Sequence, residues 1–216
     1  MFPKPAPALA PNTYAYESEP LVKPTGFREY DARWLLGTEI NLMGVQTLGL
    51  GLGTLIHELG VKPEIVTGHD FRSYSASVKT ALISGLLAAG CKVHDIGLAV
   101  TPMAYFAQFD LDVPCVAMVT ASHNDNGWTG VKMGANRPLT FGPDEMARLK
   151  EIVLEARFDM RVISEHQLQL LRSPRRGSSF SPTCKPFLVL ARRGAFGNAD
   201  CGATDPTASG GEDRFV

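Results

Sequence analysis

The sequence lacks the features of a membrane protein, a nucleic-acid-binding protein or a zinc protein. Its main apolar stretches, near residues 45–56 and 81–91, are broken by glycine and polar residues and fall short of the ~20 residues that a transmembrane helix needs. The formal net charge of −1 provides no broad positive field for nucleic acid or an anionic membrane. The four cysteines form no Cys-x-x-Cys pair, which disfavours zinc and favours reduced thiols.

A secretion signal is also missing from the N-terminus. Residues 1–20 are rich in proline and alanine and lack the charged head and apolar core of a signal peptide. We therefore expect residues 1–20 to form a flexible arm and the protein to be cytoplasmic.

Between residues 21 and 160 the sequence alternates strand-like and helix-like segments. Residues 64–68 and 113–119 are apolar runs typical of buried strands, and the segment between them has apolar residues at helical spacing. Thr38 is predicted to cap a helix that ends at Glu58, and Pro143 to begin the last helix. This alternation predicts a three-layer α/β/α domain with a mixed, mostly parallel sheet.

Residues 161–216 differ in composition from the rest of the chain. From residue 171 onward there are six arginines and one lysine, but no Ile, Tyr, Trp or Met. A segment of this kind buries too little apolar surface to offset the entropy of ordering, so we expect a disordered C-terminal tail. It is either a genuine extension or, as we hypothesise, the product of a frameshift near residues 158–172.

A serine follows the apolar strand that ends at Val119. The loop reads Thr120-Ala121-Ser122-His123-Asn124, and ligands of open α/β sheets bind outside the carboxyl ends of strands. Ser122 is therefore a candidate nucleophile, and the alternative is a turn serine that bonds its own backbone. A serine hydrolase is disfavoured because alanine and histidine, rather than the Gly-x-Ser-x-Gly pattern, flank Ser122.

The loop and its continuation to Lys132 resemble the active-site loop of the α-D-phosphohexomutases, the family of phosphomannomutase and phosphoglucomutase. That family has Thr-(Ala/Gly)-Ser-His-Asn followed by a short stretch ending in Gly-x-Lys. Here Asp125-Asn126-Gly127-Trp128-Thr129 replaces the more usual proline-containing stretch.

Two weaker motifs upstream support the resemblance, which covers residues 21–157. One is Phe27-Arg28-Glu29-Tyr30-Asp31-Ala32-Arg33, similar to Phe-Arg-x-Tyr-Asp-Ile-Arg, although Trp34 stands where glycine is usual. The other is Gly68-His69-Asp70-Phe71-Arg72, which resembles Gly-Arg-Asp-x-Arg.

The resemblance implies a phosphoserine at Ser122 that exchanges a phosphoryl group between the 1- and 6-positions of a hexose phosphate. Hexose 1,6-bisphosphate would be the activator, and Mg²⁺ would contact Ser122 through its phosphate. The other implied catalytic residues are Lys132, Arg28 and His123, and Arg33 and Asn124 are the implied substrate-binding residues.

Other interpretations of these residues remain open. Arg28 and Arg33 could instead pair with Glu29 or Asp31 on the surface, and Asp70 and Arg72 are expected to brace a loop rather than touch substrate.

The chain has room for about one of the family's four domains and contains no Asp-x-Asp-x-Asp-Arg magnesium loop. We therefore expect most Mg²⁺ ligands to be absent and this chain alone to be inactive. The alternative is a non-enzymatic remnant that binds a phosphosugar or a partner, and the oligomeric state stays open.

Overall fold

The fold is a five-stranded sheet covered by helices, in a computed structural model that describes residues 3–161. The strands are β1 (Ala32–Leu35), β2 (Glu64–His69), β3 (Lys92–Leu98), β4 (Cys115–Val119) and β5 (Trp128–Gly134). The helices are α1 (Tyr14–Ser18), α2 (Leu42–Glu58), α3 (Ser75–Ala88), α4 (Thr101–Asp110) and α5 (Pro143–Glu155), with a 3₁₀ turn at Pro24–Gly26.

The strands lie in the order β1-β5-β4-β2-β3. Strand β2 runs parallel to both β3 and β4, whereas β5 is antiparallel to its neighbours β4 and β1. Four strands therefore point the same way and only β5 is reversed. The predicted mixed, mostly parallel sheet is confirmed.

Alternate residues of the central strand β4 enter two different cores. Cys115, Ala117 and Val119 pack with α2, α3 and α5 on one face, and Val116 and Met118 pack with α4 on the other. This period of two is what a strand buried on both faces requires. It confirms the predicted three-layer α/β/α arrangement.

The glycine-rich run of α2 serves helix packing. A Cβ on Gly49 would collide with the Leu82 carbonyl of α3, and one on Gly85 of α3 would collide with the Gln46 carbonyl of α2. The two backbones therefore touch where neither helix has a side chain. The run Gly49-Leu50-Gly51-Leu52-Gly53 is structural, as the sequence indicated, and does not form a phosphate loop.

Helix α2 begins later than predicted, and Asn41 rather than Thr38 is its N-cap. The Asn41 Oδ1 atom accepts hydrogen bonds from the Gly44 and Leu21 amides at 2.8 and 2.9 Å. Its Nδ2 atom donates to the carbonyls of Tyr16 and Glu19 at 3.1 and 2.9 Å. Both residue types suit a cap, and contacts with the N-terminal segment favour Asn41.

We predicted a flexible arm for residues 1–20, but the described part of it, residues 3–20, is bonded to the rest of the domain. This segment contains α1, and the Ala6 amide and carbonyl bond Pro20 and Val22 at 2.8 and 3.0 Å. The Tyr16 hydroxyl donates to the Gly37 carbonyl at 2.8 Å. The sequence criterion missed these contacts because they are made by backbone and by single polar groups, not by an apolar pattern.

At its other end, the described chain stops beside α3, where the Arg161 amide donates to the Ala88 carbonyl at 2.9 Å. The predictions of a disordered tail and a frameshift fall on residues outside the described range. Within residues 3–161, every helix is too short or too polar to cross a membrane.

Candidate active-site loop

Ser122 lies in the loop that joins the carboxyl end of β4 to β5. Its side chain is exposed, and its φ of 55° is in the left-handed region that non-glycine residues rarely adopt. The preceding Ala121 is fully buried, so the chain turns outward at the serine. The structure thus presents the hydroxyl to solvent at the edge of the sheet where α/β folds bind ligands.

Side chains hold the loop backbone on both sides of this turn. The Ser122 amide donates to the Thr120 hydroxyl at 2.9 Å. The Arg72 Nη2 atom donates to the carbonyls of Ser122 and Asn124 at 3.3 and 2.6 Å. These bonds stabilise an otherwise unfavourable backbone conformation.

Asp70 anchors that arginine in the buried β2–α3 turn. Its carboxylate pairs with the Arg72 guanidinium and accepts from the Ser75 hydroxyl at 2.6 Å and the Arg72 amide at 3.2 Å. Burial alone would raise the pKa of Asp70, but hydrogen bonds from Ser75, Thr120 and the Arg72 backbone, with the Arg72 charge, outweigh it and lower the pKa. These contacts agree with the bracing role that we expected for Asp70 and Arg72.

Arg33 holds the loop from the opposite side, on β1. Its guanidinium bonds one oxygen of Asp31 at 2.9 and 2.7 Å, as the surface-pair alternative suggested, but both side chains are largely buried. Its Nη1 atom also donates to the Ala121 carbonyl at 3.2 Å and to the Asn124 side chain. The two predicted substrate-binding residues, Arg33 and Asn124, therefore bond each other.

The other predicted catalytic residues differ in how close the structure brings them to this network. Lys132 lies on β5, and its Nζ atom is 3.8 Å from Asp31 with 30% of the side chain exposed. Arg28 is exposed in a turn, closed by a 2.9 Å bond from its amide to the Asp31 carbonyl. His123 is exposed beside Ser122.

Sequence reasoning missed Tyr74, which holds the far end of the loop. The Tyr74 hydroxyl accepts from the Gly127 amide and donates to the Trp128 carbonyl, both at 2.8 Å. Tyr74 is two residues beyond the Gly68–Arg72 motif, and nothing in its local pattern indicated this contact.

The departure at Trp34 has a local explanation. Trp34 is almost fully buried, donates through Nε1 to the Lys23 carbonyl at 2.8 Å and packs edge-on against Phe27 with ring centroids 5.2 Å apart. Its ring covers Gly26, where a Cβ would collide with it. The substitution therefore fills the core beneath the Arg28 turn.

The donor set near Ser122 does not form a magnesium site. No cluster of three or more His, Cys, Asp or Glu side chains suited to a metal occurs among residues 3–161. Of the acids near the loop, Asp31 and Asp70 are engaged by arginines, and Asp125, in the loop itself, is exposed. Magnesium usually takes one or two protein carboxylates and completes its shell with waters and phosphate oxygens, and the described residues hold no ready cluster of such ligands.

The chain resembles sugar-phosphate mutases in both sequence and fold. It is 39% identical over 111 residues to a probable phosphoglucosamine mutase of Pyrococcus furiosus, covering 51% of this chain and 24% of that protein. A phosphomannomutase of Escherichia coli K12 is 41% identical over 135 residues, covering 60% and 28%. The chain thus spans about a quarter of the length of these relatives.

A solved structure and a family model agree with these relatives. A phosphoglucomutase/phosphomannomutase family protein from Burkholderia thailandensis superposes with a TM-score of 0.58 at 26% identity, covering 65% of this chain and 32% of that one. The model of phosphoglucomutase/phosphomannomutase, alpha/beta/alpha domain I, matches residues 24–160. The chain therefore belongs to the phosphoglucomutase/phosphomannomutase family and contains its domain I.

Proposed function

We propose that Ser122 carries the phosphoryl group that a phosphohexomutase exchanges between the 1- and 6-positions of a hexose phosphate. The observation that carries the proposal is the exposed Ser122 hydroxyl, held at the carboxyl end of β4 by bonds to the backbone on both sides. A nucleophile held rigidly in place avoids much of the entropic cost of bringing two reactants together.

The loop is surrounded by cations, and phosphoryl transfer needs one whose charge is not already neutralised by an aspartate. Arg33 and Arg72 are paired with aspartates and bonded to loop carbonyls. The Lys132 side chain is 30% exposed, and its Nζ atom is 3.8 Å from Asp31. It is therefore the cation best placed to offset charge on the transferring oxygens, and exposed Arg28 is the second.

In each direction the transfer forms one phosphorus–oxygen bond and breaks another. The Ser122 Oγ atom attacks a phosphorus of hexose 1,6-bisphosphate, the bond from that phosphorus to the sugar oxygen breaks, and the proton of the serine hydroxyl ends on the sugar oxygen. Phosphoserine and a hexose monophosphate result. In reverse, a hydroxyl of the monophosphate takes the phosphoryl group back, and Lys132 stabilises the charge in both directions.

The complete mutase activity requires groups that residues 3–161 do not contain. We infer that this chain holds the phosphoserine but is inactive, or nearly so, in a complete mutase assay on its own. Magnesium, expected from the family, would need ligands beyond those described here. We also infer a cytoplasmic location, where hexose phosphates occur.

The proposal is tested by incubating the full chain with glucose 1,6-bisphosphate or mannose 1,6-bisphosphate and mapping phosphate by mass spectrometry. We expect phosphate on Ser122, none in Ser122→Ala, and no change in Ser77→Ala, which alters an exposed serine of α3. Phosphate on another residue would contradict the proposal. Binding of hexose phosphate without transfer would instead indicate a phosphosugar-binding remnant.

A further inference from the structure

The Ser122 loop contains the only Asn-Gly pair in the 216-residue sequence, Asn126–Gly127. Asn126 is exposed, and Gly127 has a φ of 97° with no atom within 4 Å of the position that a Cβ would take. No side chain at Gly127 therefore shields the peptide between them, and no other residue crowds the position where one would lie. An unhindered asparagine followed by glycine is the pair in which the asparagine side chain is most open to attack by the next backbone nitrogen.

The Gly127 peptide is nevertheless held by hydrogen bonds on two sides. Its amide donates to the Tyr74 hydroxyl at 2.8 Å, and its carbonyl accepts from the Leu36 amide at 3.0 Å. Tyr74 is itself fixed, because its hydroxyl donates to the Trp128 carbonyl and its ring packs against the main core. The tyrosine thus joins α3 to the end of the loop.

We propose that Asn126–Gly127 is a site of spontaneous deamidation and that the Tyr74 hydroxyl restrains it. The Gly127 amide gives its proton to base, and its nitrogen bonds to Cγ of Asn126. The bond from Cγ to Nδ2 breaks, and the side-chain nitrogen leaves as ammonia. Water then opens the five-membered imide at either carbonyl and gives aspartate or isoaspartate.

Tyr74 opposes the first step of this reaction. The nitrogen that attacks is the one whose proton the tyrosine hydroxyl accepts, so this hydrogen bond must break before the ring closes. The bond from Tyr74 to Trp128 limits how far the loop can move to bring the nitrogen to Cγ. Breaking one hydrogen bond, counted net of the bond that water offers in its place, slows ring closure by a factor of about three to ten.

The consequence for the loop rests on the proposed function of Ser122. Either product adds a carboxylate four residues from Ser122, and isoaspartate also lengthens the backbone beside Gly127. The added carboxylate repels a phosphoryl dianion on Ser122. Deamidation would therefore lower the extent to which Ser122 can be phosphorylated as the protein ages.

The test follows aspartate and isoaspartate at position 126 by peptide mapping of the full chain aged in mildly alkaline buffer. We expect Tyr74→Phe to react about three to ten times faster than the unaltered chain, the range set by one hydrogen bond. Tyr16→Phe is the control, because it also removes a hydroxyl bond of 2.8 Å, but at Gly37. Asn126→Gln should give no product at this position.

A second comparison does not depend on whether Tyr74→Phe folds well. The unaltered chain in concentrated urea, where Tyr74 restrains nothing, should react faster than the same chain when folded. Equal rates in the two states, equal rates in Tyr74→Phe and Tyr16→Phe, or reaction at Asn124 or Asn136 in place of Asn126 would overturn the proposal. Since the readout is the mass of position 126, it is independent of whether Ser122 carries phosphate.

Discussion

Arg72 and Asn124 are joined by a 2.6 Å hydrogen bond from the guanidinium Nη2 atom to the loop carbonyl. The same nitrogen also reaches the Ser122 carbonyl, while the other end of the guanidinium is paired with Asp70. One buried side chain therefore links the β2–α3 turn to the candidate nucleophile. A flat group with several donors can make these bonds together, which a lysine ammonium cannot.

We expect Arg72→Lys to slow phosphorylation of Ser122 by about tenfold and to cost about 1–2 kcal/mol of stability, because bonds to Asp70 or to the loop are lost. Urea unfolding and phosphate incorporation would measure both effects. Arg148→Lys is the matched control, because Arg148 pairs with Glu58 on the surface, and it should change neither quantity noticeably. An unchanged phosphorylation rate in Arg72→Lys would show that the loop does not need this brace.

Lys132→Met should reduce phosphorylation of Ser122 by about a hundredfold, since it removes the partly exposed cation proposed to offset charge in the transfer. Stability should change little because the nearest acid is 3.8 Å away. The rate is measured with hexose 1,6-bisphosphate, and Lys150→Met on α5 is the control. Equal rates in the two variants would remove Lys132 from the proposed chemistry.

The hydrogen bonds of the Glu64 carboxylate should make a pH-dependent contribution to the stability of the domain. Its carboxylate bonds Lys62, Lys92 and His94 at 3.0 to 3.1 Å. Burial opposes ionisation, but these three bonds outweigh it and lower the pKa to about 2 from 4.5. Burial also lowers the pKa of His94, so a neutral imidazole donates to Glu64 near neutral pH.

Because the folded pKa lies below the unfolded one, the stabilisation is complete above about pH 4.5 and is lost as the pH falls towards 2. Glu64→Gln should therefore cost about 2 kcal/mol near neutral pH, allowing for screening of the exposed lysines. Its difference from the unaltered chain should vanish in acid. Thermal melts over this pH range test the trend, and a constant difference would count against it.

Gly85→Ala should destabilise the domain by about 3 kcal/mol, because the added methyl group would force α2 and α3 apart at Gln46. Ser84→Ala, one residue earlier but exposed, should leave stability nearly unchanged. Circular dichroism melts of both variants distinguish close packing from helix propensity. Similar melting temperatures for the two would mean that α2 and α3 can separate at little cost.

The position of Ser122 was predictable because its signal is local. An apolar strand followed at once by small and polar residues places the serine at the carboxyl end of β4, and the structure agrees. The bracing role expected for Asp70 and Arg72 also agrees, since both residues directly follow β2, the parallel neighbour of β4.

The remaining contacts depend on which segments become neighbours in the folded chain. Tyr74 meets Gly127 across 53 residues of sequence, a contact made only once β2 and β4 are adjacent. Asn41 and Thr38 are equally good caps by residue type, and the choice depends on the carbonyls of Tyr16 and Glu19. Arg33 looked available for substrate, but its place on β1 opposite Gly130 directs it to the loop.

The bond between Arg161 and Ala88 also places the end of the described chain at one edge of the sheet. Ala88 ends α3 at the edge where the parallel strands begin, whereas Ser122 lies at the edge where they end. The five residues of β4 separate these poles by about 17 Å. Arg161, the last described residue, therefore lies at the opposite edge of the sheet from Ser122, about the height of the sheet away from the candidate nucleophile.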